Sequence, residues 1–407
     1  MHTISRSPAK HQIIRGDDYI YSMQRFLLFL LIFISSFSVK AQTDSCHLRV
    51  SLLTCSPGEE LYSTFGHSAL RVTDSLSGYD IIFNYGTFDF NDPDFYMKFV
   101  RGKLLYFVSV QDYNGFRSDY AYERRSIIEQ ELVLTCNQKQ QLYLALQENL
   151  KEENKYYKYD FLFDNCSTRL GDIVQANSDG QVKFNSILGN DPPTFRELLH
   201  VYLRNGEMYW SKLGIDILLG SKIDREVTSR EAMFLPDFLM KGFDSATVSN
   251  QKLVAEKATV LSVDKPAKEE SILTRPIVIT SLLMIIVGVL QFSKRKWAVP
   301  VLQVFDRVFF FLLGALGVLL LFMWFGTEHA VCAENYNLLW AIPFHLVLAF
   351  LPSKKRYWVS RYFMVMAAWY FILFFAWALL PQDMNTAIVP IVIIAFMRSV
   401  VLYRKNL

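Results

Sequence analysis

The sequence predicts an α+β exported domain followed by an all-α domain of five transmembrane helices. Three observations carry that prediction: a sharp change of composition near residue 275, strand patterns that give way to helix patterns, and basic clusters on alternate sides of five apolar runs. With 52% hydrophobic and 15% aromatic residues, the 407-residue chain is too apolar to be disordered. Its 42 basic and 39 acidic residues give a formal charge of +3. No Lys/Arg stripe concentrates that charge in the soluble part, so no nucleic acid is expected among its partners.

Residues 1–41 read as an upstream polar extension and a cleavable signal peptide. Met23-Gln24-Arg25 leads the apolar stretch "FLLFLLIFISSFSV", short for a retained span, and Val39-Lys40-Ala41 supplies a small-x-small cleavage pattern. Residues 42–255 mix charges, aromatics and turn residues as a globular periplasmic domain does. "LRVSLLTC" (48–55), "HSALRVTD" (67–74), "YDIIFNYG" (79–86), "KLLYFVSVQ" (103–111) and "SIIEQELVL" (126–134) alternate apolar and polar positions and are expected as strands. "NQKQQLYLALQENLKEEN" (137–154) and "CSTRLGDIVQAN" (166–177) are expected as helices, the second opening at Cys166.

Residues 256–275 form a charged stretch expected as a linker, and residues 276–407 form the transmembrane domain. Its five expected spans are 276–292, 307–325, 337–351, 360–380 and 385–402, each near the length that crosses ~30 Å of hydrocarbon. "SKRK" (293–296), "SKKR" (353–356) and "YRK" (403–405) fall on one side, whereas "GTEHAVCAEN" and "PQDMN" on the other contain no Lys or Arg. The positive-inside bias therefore puts the soluble domain outside the cytoplasm, in agreement with the signal peptide. Pro343 and the modest length of 337–351 also allow a re-entrant segment, which would break the alternation.

Four of the five cysteines, Cys46, Cys55, Cys136 and Cys166, lie in the exported domain, where oxidising conditions favour pairing. Cys46 and Cys55 can bridge across the start of the first strand, with Cys136 either buried or paired; spacing leaves the connectivity open. Cys166 stands apart. Asp164 or Asn165 is a good helix N-cap, which places Cys166 in the first turn, where free N–H groups and the positive helix end lower a thiol pKa. The same donors can face the oxyanion formed when the thiolate attacks an acyl carbon. A thiolate mechanism needs a base, and the domain offers His47, His67 and His200. His47 sits near the cleavage point, and His200 lies in an amphipathic helix pattern that suits a half-buried structural role. His67 follows a glycine at the start of a strand, from which it can project into a cleft, so Cys166 and His67 are the expected catalytic pair.

"FGHSALRV" leading a strand and "DNCSTRL" opening a helix, with His before Cys, resemble the circularly permuted papain-like group that includes permuted NlpC/P60 hydrolases. More closely, "TCSPGEELYSTFGHSALRV", "NYGTFDFNDPDFYMKFVRGKLLY", "YKYDFLFDNCSTRL" and "TEHAVCAENYNLLWAIP" resemble the Lnb family of Bacteroidota. That family consists of lipoprotein N-acyltransferases with a periplasmic domain followed by transmembrane helices. The resemblance implies a papain-like fold, a multi-pass protein of the bacterial inner membrane, and no cofactor. It also implies Cys166 as the acyl-carrying nucleophile with His67 as its base, a phospholipid acyl donor and a lipoprotein acceptor.

Asn84 and Tyr85 of "NYG", Asp164, Asn165 and Arg71 become candidates for orienting the imidazole or holding a head group, although each also suits an ordinary turn or strand-face role. In the loop "TEHAVCAENYNLLW", His329, Asn335 and Asn337 are candidate contacts for a lipid head group or the lipoprotein end, because polar residues near the membrane are costly unless used. His329, Cys332 and Glu334 supply too few strong ligands to predict a metal site. Two rival readings remain: a cysteine amidase or peptidase of the cell envelope using the same pair with water as acceptor, and a non-catalytic membrane sensor or scaffold.

Overall fold

A computed structural model describes residues 46–264, 271–349 and 357–405; the expected signal peptide lies outside the described residues. Ten strands are described: β1 (Leu48–Cys55), β2 (His67–Asp74), β3 (Tyr79–Thr87), β4 (Leu105–Asp112), β5 (Ile127–Leu132), β6 (Tyr156–Lys158), β7 (Val182–Lys183), β8 (Thr247–Val248), β9 (Gln251–Lys252) and β10 (Val254–Leu261). Seven of them form one sheet in the order β10-β5-β1-β2-β3-β4-β6, and β7-β8-β9 form a small second sheet. All pairs in the large sheet are antiparallel, so the hairpin-like sequence order of β1 to β4 is kept in space.

β1 is an interior strand between β5 and β2, and its residues are buried on both faces except Arg49, which extends to Glu131 on β5. One face carries Leu52, Leu70, Phe83 and Tyr85, packed against the Cys136–Asn149, Cys166–Ala176 and Pro236–Ser245 helices. The other carries Leu53, Cys55, Ala69 and Ile82, covered by Phe116 of the Tyr113–Tyr122 helix. Strands flanked on both sides by helices make this a mixed α and β domain, in line with expectation.

Two expectations need correction here. Cys136 is bonded to Cys46, not left as a spare, while Cys55 is free and buried. Cys55 has no reach to Cys46 because it ends the strand that begins beside Cys46; an extended strand separates its two ends instead of joining them. The Cys46–Cys136 bond closes a separation of 90 residues, and a loop of that size gives about 4.6 kcal/mol of stabilisation in the chain-entropy picture. Residues 256–261, expected in the linker, belong to β10 and pair with β5 along the sheet edge. Alternation in "EKATVL" is masked by exposed charges, because an edge strand faces water.

The C-terminal region is helical. Among the described residues, three helices are long and apolar enough to cross a membrane: Ala298–Phe325, Tyr357–Leu379 and Thr386–Arg404. Pro276–Phe292 is apolar but shorter, at 17 residues. The described part of 337–351 is no continuous helix: it holds a 3-10 turn, Tyr336–Leu339, and a helix, His345–Ala349, with Pro343 between them. Proline lacks the N–H and its ring blocks the preceding turn, which is the physical reason for the break. Within the bundle, Arg398 donates two hydrogen bonds to Asp306, at 2.6 and 2.8 Å, so two charges in apolar helices neutralise each other.

The soluble domain is seated on this bundle through buried polar contacts. Asn337 donates from its side-chain nitrogen to the carbonyls of Asp216 and Ile217, and Asn335 to those of Ile217 and Leu218. Gln382 donates to the carbonyl of Leu219, and Asn385 to the Asp216 carboxylate. Both loops without Lys or Arg therefore meet the soluble domain, as the charge pattern requires if they share its side of the membrane.

Candidate active site

Cys166 is placed by a helix head and His67 by a strand start. The Asn165 side chain accepts from the N–H of Ser167 and of Thr168, at 2.8 and 2.9 Å, and its amide donates to the carbonyls of Phe161 and Phe234. Asn165 is thus consumed as the N-cap that fixes Cys166 at the first helical position. Asn165→Ala is expected to cost ~2–3 kcal/mol, since a cap is lost and two buried carbonyls lose their donor; denaturant unfolding followed by circular dichroism measures it.

Gly66 precedes His67 at φ +83°, and a Cβ there would lie 2.8 Å from the Cys55 carbonyl oxygen, so only glycine lets the chain turn into β2 beside β1. One residue further on, Ser68 Oγ and Ser167 Oγ meet at 3.1 Å in the interior and bind strand to helix next to both catalytic candidates. His67 Nε2 lies 3.3 Å from Asn84 Oδ1 on β3, which can orient the ring. Gly86 takes φ +87° in the irregular stretch of the β3–β4 pairing, and a Cβ there would sit 3.7 Å from Cys166 Cβ, so the backbone approaches the thiol closely.

Among the described residues three cysteines are free, and their environments differ. Burial pushes the Cys55 thiol up to about 12 and the Cys332 thiol to about 11. Burial also acts on Cys166, but the charge of His67, hydrogen bonding to it, the Ser68 N–H and the Ser167 hydroxyl together bring its pKa below the ordinary 9.0. His67→Gln removes the largest favourable contribution and leaves burial dominant. Alkylation of Cys166 by iodoacetamide at pH 7 is then expected to slow at least about tenfold, with its pH midpoint moving upward.

The remaining sequence candidates separate clearly. Tyr85 points to the opposite face from Asn84 and its hydroxyl accepts from Asn149 at 2.7 Å, a core role. Arg71 is saturated by Asp80 and Glu129 and stacks on Tyr113 at 3.4 Å, four residues along β2 from His67, because a half-buried guanidinium recruits carboxylates. Asp164 forms a two-pronged pair with Arg169. Asn335 and Asn337 are spent on the backbone of 216–218, and His329 Nε2 lies 3.0 Å from the Phe99 carbonyl. These five are brought to other places than the thiol, and Asp164 reaches it only through its neighbours.

Sequence reading missed Tyr157 and Tyr159. Tyr159 packs near Gly86, and Tyr157 carries a buried hydroxyl close to the Gly86 backbone, under the Arg169 guanidinium at 3.5 Å. Both feel the Cys166 charge. The alternating "YYKYD" was their only signal, and it reads equally well as an edge strand.

Fold and site together define a membrane protein whose mixed α and β domain sets a buried thiol at a helix head beside a strand-borne imidazole. Residues 37–201 match the family model for the Lnb N-terminal periplasmic domain, and residues 267–407 match the model for the Lnb transmembrane domain. The chain belongs to the Lnb family, which points to Lnb-type lipoprotein processing. Neither the curated proteins nor the solved structures contain a detectable match.

Proposed function

We propose that the protein is a lipoprotein N-acyltransferase of the inner membrane, in which residues 42–255 carry a papain-like catalytic arrangement and residues 276–407 anchor it through five crossing segments. The observation that carries this reading is the Cys166 thiol at a capped helix head, bound to the start of the His67 strand through the Ser68–Ser167 contact, in a domain seated directly on apolar helices.

The thiolate attacks the ester carbonyl of a phospholipid, forming the C–S bond. The C–O bond then breaks, and the lysophospholipid alkoxide takes a proton from the His67 imidazolium. In the second half, the neutral α-amine of a diacylglyceryl-cysteine attacks the thioester. An amide C–N bond forms, the C–S bond breaks, and the amine proton passes to His67, which restores the thiolate–imidazolium pair. Because Asn165 occupies the N–H groups of Ser167 and Thr168, the buried Tyr157 hydroxyl, which feels the Cys166 charge, is a candidate donor for the oxyanion. An amidase would use the same pair with water, but a soluble domain seated on an apolar helical bundle favours a lipid substrate.

Deleting the gene is expected to convert N-acylated lipoproteins to forms with a free α-amine, seen by mass spectrometry of their N-terminal peptides. Unchanged N-acylation would contradict the proposal.

A further inference from the structure

An aromatic row runs from the candidate nucleophile to the protein surface. Tyr159, beside Gly86 and Cys166, stacks on Tyr106 with ring centres 4.3 Å apart. Tyr106 meets Phe88 at 5.3 Å, Phe88 meets Phe95 at 5.8 Å, and Phe95 stacks on Phe99 at 6.2 Å. The row ends on the Phe95–Val100 helix, whose Tyr96, Met97 and Phe99 are 79%, 61% and 51% exposed. A contiguous apolar surface of this kind marks an interaction site.

Its height in the molecule says what covers it. The Ala298–Phe325 span ends three residues before Glu328, whose N–H donates to the Arg101 carbonyl at 3.0 Å. Next to it, His329 Nε2 lies 3.0 Å from the Phe99 carbonyl, and the Glu328 carboxylate pairs with Lys158. The exposed aromatic helix is therefore tied to the end of a membrane span, at the level where aromatic side chains occupy the bilayer boundary. Lys98 within the helix pairs with Asp92 and Lys103 beyond it with Glu328, and the exposed Arg101 directly after the helix is a cation that suits the phosphates of that boundary.

We propose that the Phe95–Val100 helix dips into the periplasmic leaflet and that the aromatic row from Phe99 to Tyr159 conducts a phospholipid acyl chain to Cys166. The conducting role rests on the acyl-transfer reading above; the membrane contact does not. A bilayer, not a protein partner, is the occupant, because the patch continues the surface of a membrane span.

The test places a photoreactive benzophenone amino acid at Met97 or, as control, at Leu76, an exposed residue in the turn at the opposite end of β2 from His67. The full chain is reconstituted in vesicles of phosphatidylethanolamine and phosphatidylglycerol and irradiated. A phospholipid adduct at position 97 and none at 76 is the expected result. No lipid adduct at 97, equal adducts at both positions, or capture of a protein there instead would overturn the contact. Separately, the Tyr96→Asp, Met97→Asp double variant is expected to slow acylation of Cys166 from vesicle lipid at least about tenfold, since carboxylates resist insertion, with Cys166 alkylation checking the fold. Undiminished acylation would overturn the conducting role. A wild-type protein that crosslinks to lipid at 97 but never takes an acyl group would overturn the acyl-transfer reading alone.

Discussion

Cys166→Ser is expected to abolish the proposed acyl transfer, by about 10⁴-fold or more, with the fold intact. A serine hydroxyl keeps its proton at neutral pH and forms a less reactive acyl ester, so both halves of the reaction suffer. The fold is spared because Cys166 is a small, buried, unbridged side chain held by its helix and by the Ser68–Ser167 contact. Transfer of a labelled acyl chain from vesicle lipid to a lipopeptide measures the loss, and circular dichroism checks the structure. Cys332→Ala serves as the contrast: that thiol is held near 11 and has no catalytic neighbour in this account, so the rate is expected to change less than about twofold.

Arg196→Met has the largest expected effect on stability. The Arg196 guanidinium is fully buried and donates to Asp216, to Asp224 and to the carbonyls of Leu219 and Gly220. Without it, Asp224 loses its two-pronged cation and Asp216 one of its three cationic neighbours, and breaking one partner of such a buried network costs ~3–5 kcal/mol. Asp216 also accepts from His200, Lys212 and Asn385, so the same change loosens the soluble domain from the bundle. Thermal unfolding and faster proteolysis of the variant report both consequences.

The network also sets an acid limit. Burial raises the Asp216 pKa, but His200 and Lys212 outweigh it and hold the carboxyl at about 2, below its ordinary 3.8. A depressed carboxylate contributes stability above the unfolded value that is lost as pH falls through the folded one. Folding stability is therefore expected to fall between about pH 4 and pH 2, by ~2 kcal/mol from this residue, and an Asp216→Asn variant should lose that dependence.

Local pattern made much of this legible in the sequence. β1 and β2 have the predicted bounds, because their alternation and Gly, Pro and Asp borders act within a few residues. The helix at Cys166 was visible for the same reason, with its cap narrowed to Asp164 or Asn165, of which Asn165 is the one used. What the chain brings together from far apart was not visible: the Cys46–Cys136 bond, the pairing of β10 with β5, and the use of Asn335 and Asn337 to grip the Asp216–Leu218 backbone. A polar side chain near a membrane looks the same in sequence whether it serves a ligand or a carbonyl. Tyr157 and Tyr159 were hidden because three aromatic residues in "YYKYD" give no sign of which face meets the thiol.

The most direct measurement is the intact-peptide mass of the purified protein after incubation with phospholipid vesicles and no lipoprotein acceptor. The account predicts a hydroxylamine-sensitive acyl group on the peptide carrying Cys166, removed on adding a diacylated lipopeptide. An unmodified Cys166 peptide, or an acyl group stably attached to a different residue, would contradict it.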